Sequence, residues 1–157
     1  MIRIFPNDLL AIEHEGRYFY AIVLEGVKVF GAQLSYVFHF TSDTQIFPEV
    51  LLDEQQPGFY AYVDYIWCKR EKRVTRYLQN IDTSNYKPPV YSKGTNNHRG
   101  KNTIWWIYDQ SGHEIERTTN LNEEQKQFPI NEKIDEYVMF ERVLQKWTLL
   151  ENVETGT

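Results

Sequence analysis

The sequence predicts a single β-dominated α+β domain over residues 1–157: a twisted antiparallel sheet or partly open barrel with a few short helices. Three observations predict it. Four Trp, eleven Tyr and nine Phe crowd the chain, and aromatic side chains suit a pleated, half-buried surface. Apolar residues recur at a period of two in several runs, as they do along a strand with one face buried. Gly-containing turns separate the first runs at hairpin spacing. A chain of this length buries roughly 70% of its unfolded surface and needs no disulfide or metal staple.

The elements follow in order. Leu9 to His14 and Arg17 to Leu24 flank Glu15-Gly16 and read as a β-hairpin. Gly26 permits a second turn before a short run, Val27 to Phe30. Leu34 to Thr41 sets Leu34, Tyr36, Phe38 and Phe40 on one face and Ser35, Val37 and His39 on the other. Pro48 followed by Glu49 suits the first turn of a short helix. Phe59 to Cys68 is dense in aromatics and reads as one strand, or as two joined at Asp64. Lys69 to Arg73 (KREKR) reads as a solvated charged turn, and Val74 to Ile81 as a further strand. Ser92 to Thr103 holds no apolar residue and reads as a long polar loop, which in a compact domain is functional or mobile. Thr103 to Tyr108 is the most apolar strand, with a turn at Asp109–Gly112 and a return through Arg117. Asn120 or Asn122 caps a short helix that Phe128-Pro129 stops. Ile134 to Phe140 reads as a late strand. Glu141 to Leu149 reads as a closing helix with Val143, Leu144 and Trp147 at helical spacing.

The net charge of -5 conceals a segregation. Residues 1–68 carry three basic and nine acidic side chains, residues 69–101 nine basic and two acidic, and residues 102–157 five basic and eleven acidic. A basic strip therefore lies between acidic flanks. Cys68 is the one cysteine, which excludes a disulfide framework and a cysteine-rich zinc site within the chain. No apolar run approaches the ~18 residues of a membrane span, and the start MIRIFPNDLL lacks the form of a signal peptide. A cytoplasmic protein is expected, with no membrane partner.

Catalytic signatures do not emerge. His14, His39, His98 and His113 have no metal-ligand spacing. Cys68 follows Tyr65-Ile66-Trp67 and reads as a small core hydrophobe. Nucleophile elbows, phosphate loops and dinucleotide fingerprints are absent. The expectation is a protein that is not an enzyme and takes no metal or cofactor; a small enzyme site between His14, His39 and the aromatics is a third reading. The strip 69–101 joins Lys69, Arg70, Lys72, Arg73 and Arg76 to Trp67 and Tyr77, the mixture that neutralises phosphates and stacks bases. A nucleic-acid-binding module is thus the alternative function, although the acidic total argues against it. Trp105 and Trp106 are neighbours and point to opposite faces of a strand. Surplus aromatics, segregated charge and no catalytic machinery describe a binder, since Trp, Tyr and Arg anchor protein interfaces.

The run Asn7 to Val23 (NDLLAIEHEGRYFYAIV) resembles the opening of the immunity protein 26 family, bacterial proteins associated with polymorphic toxin systems. That family opens with Gly-Asp, an apolar pair, Ala-Ile, a short polar turn ending in Gly-Arg/Lys-Tyr, and an aromatic or small strand. Asp8, Ala11, Ile12, Gly16, Arg17 and Tyr18 match it in order and spacing. Ile104 to Glu116 (IWWIYDQSGHEIE) is similar to the family's strand, Gly turn and return strand. The chain departs from the pattern at Asn7, where Gly is common, at Glu13, where Pro is common, at Ala21, where Gly often sits, and in a longer loop Ser92 to Thr103. The resemblance implies a cytoplasmic antidote that binds a cognate toxin protein and blocks it, with no catalytic residues to carry over. Candidate toxin-binding residues are Trp67, Arg70, Arg73, Trp105 and Trp106, with the loop around His98 and Arg99.

Overall fold

A computed structural model describes residues 1–26, 28, 31–96 and 103–145. Among the described residues nine strands form two sheets. The large sheet holds β1 (Leu9–His14), β2 (Arg17–Val23), β3 (Gln33–Ser42), β4 (Gly58–Val63), β5 (Val74–Leu78) and β9 (Lys133–Ile134), in the order β5-β1-β2-β3-β4-β9. The small sheet holds β6 (Ser92–Thr95), β7 (Trp105–Tyr108) and β8 (Glu114–Thr118) in sequence order. Helices α1 (Ile66–Arg70), α2 (Glu123–Lys126) and α3 (Glu136–Leu144) are short, and a 3-10 turn spans Glu49–Leu52. The expected α+β architecture is present, with a twisted open sheet and, among the described residues, no closed barrel.

The first four strands run as an antiparallel meander. Its first turn is tight because Glu15 and Gly16 both take positive φ, 49° and 76°, the conformation whose twist matches a two-residue hairpin. β5 returns to the free edge of β1, antiparallel. β9 joins β4 in parallel, so the sheet is mixed.

Both faces of the large sheet are covered, which is why β1 and β2 read as nearly continuous apolar runs. Leu10, Ile12, Phe19, Val37 and Val63 pack under α1 and α3 with Cys68, Met139 and Phe140. Leu9, Tyr20, Ile22, Tyr36 and Phe38 pack on the opposite face with Phe47 and Tyr86. This second layer takes up much of the aromatic surplus. Its hydroxyls pin the covering loop: Tyr36 donates to Gln56 O at 2.5 Å, and Tyr86 donates to Glu54 O at 3.1 Å while accepting from Gln56 N at 2.9 Å. A buried phenol without such a partner would be costly.

Several expectations need correction. Phe59 to Cys68 is not all strand: β4 ends at Val63 and α1 begins at Ile66. Asp64 is the reason, for its Oδ1 accepts the Ile66 N–H at 3.0 Å and turns the chain. The late strand stops at Ile134, and Glu136 to Leu144 is helix. Here Asp135 caps, its side chain accepting the Val138 N–H at 3.0 Å. The polar segment Ser92 to Thr95 is a strand, drawn into register by the apolar β7. The strand Val74 to Ile81 ends at Leu78. Asn122, rather than Asn120, caps α2, with Gln125 completing a reciprocal box. Of the run Val27 to Phe30, Val27, Val29 and Phe30 lie outside the described residues, as does Trp147.

One segment serves both sheets. Ile130 bridges to Lys93 of β6, with Lys93 N–H to Pro129 O at 2.9 Å and Asn131 N–H to Lys93 O at 2.7 Å. Three residues later the same segment, as β9, pairs with Tyr62 and Val63.

Candidate functional site

The basic cluster after β4 is built by α1. Cys68 faces the core, and burial pushes its thiol up to about 12, far from a reactive thiolate. The neighbouring position therefore faces outward: Trp67 is 54% exposed. The Arg70 guanidinium lies 5.3 Å from the centroid of its ring, a cation–π contact one helical turn along. Lys72 follows at φ 57°, in the left-handed conformation that ends the helix.

The KREKR segment is not uniformly solvated. Arg73 turns inward and holds Glu136 through two contacts, at 2.6 and 2.7 Å. It also reaches Glu71 at 2.6 Å and Glu13 O at 2.9 Å. Glu136 is 1% exposed, and the fork geometry of a guanidinium suits such a buried carboxylate. Arg76 pairs with the buried Asp8 at 2.9 Å and donates to Arg3 O. The strip thus divides. Lys69, Arg70 and Lys72 form no ion pair among the described residues and remain outward, whereas Arg73 and Arg76 tie elements together.

The other candidates separate as well. Trp105 is buried in the small sheet beside Ile130. Trp106 is half-buried on the opposite face, with Arg117 5.5 Å from its ring centroid. His98 and Arg99 lie outside the described residues. His14 stacks on Phe140 at 4.2 Å and belongs to β1, while His39 belongs to β3, with β2 between them. Among the described residues no group of three or more His, Cys, Asp or Glu could hold a metal ion, and no helix is long and apolar enough to cross a membrane.

No family model, curated protein or solved structure matches this chain.

Sequence reasoning missed one residue. Lys93 is 1% exposed, where a lysine is seldom found. Its Nζ donates to Gln125 O at 3.2 Å and Lys126 O at 2.5 Å, the last carbonyls of α2, and sits 5.9 Å from the Trp105 ring centroid. Burial pulls its pKa down to about 7. The helix-end carbonyls favour the ammonium and oppose that shift. Nothing local signals this placement, because α2 lies some thirty residues along the chain.

Proposed function

We propose that this chain is an antidote that binds a cognate bacterial toxin domain and neutralises it by protein–protein contact, as the resemblance to the immunity protein 26 family implies. The observation that carries the reading is the Trp67–Arg70 pair on α1. It is an exposed aromatic already clamped by a guanidinium, on a helix whose inner face is fixed by Cys68. Trp and Arg are the residues that dominate interface energetics, and order in the free state reduces the entropy lost on binding. Lys69 and Lys72 beside it favour an acidic toxin surface and accelerate encounter with it. A nucleic-acid role is weakened by the inward pairing of Arg73 and Arg76, which leaves a smaller free cationic surface.

Co-expression with a toxin domain, should a neighbouring gene encode one, tests the reading. Growth rescue and a copurifying complex are expected. Trp67→Ala should weaken the complex about 30-fold or more, the equivalent of roughly 2 kcal/mol for an interface anchor. Its folding stability should change by no more than about 0.5 kcal/mol, as for a surface residue. A chain that neither binds the toxin nor rescues growth refutes the proposal.

A further inference from the structure

The open side of β4 is a second place where a partner can be read from geometry. β3 pairs with β4 from Gly58 to Val63, but β9 covers only Tyr62 and Val63 on the other edge. Asp64 N–H donates to Ile134 O on that edge, while Pro57 O accepts from His39 N–H on the β3 side. Alternation along the strand then turns the N–H and C=O of Gly58 and Tyr60 toward the uncovered edge. The chain that would have covered them diverges, because Ile130 pairs with Lys93 of the small sheet.

The divergence leaves a wedge. On one face of the edge is a cavity of about 280 Å³ lined by Phe59, Ala61, Lys93, Phe128, Ile130 and Arg142, among others. On the other is a cavity of about 520 Å³ lined by Tyr60, Lys87, Pro88, Val90 and Phe128, among others. A strand laid along β4 would send successive side chains alternately into the two. The charges in the first cavity do not balance. Lys126 of α2 pairs with Glu123 at 2.5 Å, and Arg142 of α3 pairs with Glu132, just before β9, at 3.2 Å. Lys93 has no acidic partner among the described residues; its Nζ meets two carbonyls and keeps a third donor.

We propose that this edge docks a short extended peptide carrying an acidic residue, which adds to β4 beside Gly58 and Tyr60 and sets its carboxylate against the Lys93 ammonium. An exposed strand edge selects an extended backbone. The unbalanced cation selects the carboxylate, and the cavity sizes admit one side chain on each face. Burial leaves the amine about half protonated at pH 7, so an arriving carboxylate completes its protonation. No residue of α1 lines either cavity, and the inference stands apart from the toxin reading.

The test is an amide NMR titration of the full chain with acetyl-Val-Asp-Val-amide and with its Asn counterpart. The expected result is shifts at the Gly58 and Tyr60 amides, with the Asp peptide binding about tenfold more tightly than the Asn peptide at about pH 6. That preference should shrink by about pH 8.5 as the Lys93 amine loses its proton. Lys93→Met should abolish the preference. Should that variant fail to fold, the pH dependence in the parent chain decides the matter. Unmoved Gly58 and Tyr60 amides at millimolar peptide, or equal binding of the two peptides at the lower pH, would overturn the proposal.

Discussion

Replacing Lys93 by Met changes how stability responds to pH. In the unfolded chain the amine titrates at its ordinary value of 10.5, and in the folded chain at about 7. Between those values the unfolded state holds one more proton, so stability rises with pH by up to about 1.36 kcal/mol per unit. The contribution is complete above the unfolded value and is lost as pH falls through the folded one. From about pH 7.5 to about pH 9.5 the parent chain should gain about 2.5 kcal/mol relative to Lys93→Met, after partial titration at both ends. Burial raises the phenol of Tyr36 and the thiol of Cys68, which act in the opposite direction, but both proteins share them and the difference removes them. Leaving the Gln125 and Lys126 carbonyls without their donor costs the variant roughly 1–3 kcal/mol at every pH, an offset that does not change the slope. Urea unfolding at several pH values, followed by Trp fluorescence, measures the slope and the offset. Parallel stability curves for the two proteins would refute the reasoning; the α2 carbonyls would then hold the ammonium charged despite its burial.

Three further outcomes follow from the packing. Arg73→Ala leaves the Glu136 carboxylate buried without its guanidinium and should cost about 3–5 kcal/mol in urea unfolding. Gly58→Ala puts a Cβ 2.2 Å from Val37 O and 2.8 Å from a Tyr36 ring carbon; a melting experiment should show a loss of about 1–3 kcal/mol, as for overpacking. Cys68, raised to about 12 by burial, should resist an aromatic disulfide reagent at pH 8 in the folded chain and react promptly once urea unfolds it.

The parts of the fold visible in the sequence are those set by neighbours along the chain. The Glu15-Gly16 turn and the period-two faces of β3 each depend on a few adjacent residues. The errors arise where a local side-chain hydrogen bond competes with a pattern. Tyr65-Ile66-Trp67 has strand-forming side chains, yet the Asp64 carboxylate accepts the Ile66 N–H and turns the chain ahead of α1. Ile134 to Phe140 reads as strand, yet Asp135 starts α3. Ser92 to Thr95 has no apolar signal at all, and its strand exists because β7 supplies the partner edge. The site followed the same division. The sequence singles out Trp67 and Arg70 by residue type, but not their contact, because the helix that joins them reads as a strand and a turn. Arg73 reads as surface because Glu136, its partner, is 63 residues away. Lys93 and the wedge depend entirely on chain segments distant in sequence.

The span from Pro129 to Ile134 has a consequence for how the molecule comes apart. The small sheet has a slight apolar cluster of its own, Trp105 and Ile130 with Leu121 alongside, too little to hold three strands and a helix unaided. Its persistence is inherited from the large sheet through this shared edge. Amide exchange should therefore rank the molecule in two tiers: β1 to β4 opening only with global unfolding, and β6 to β8 opening earlier and together. Peptide-bond cleavage within the span would leave a large sheet that endures and a small one that unravels, and the groove between them would vanish with the seam.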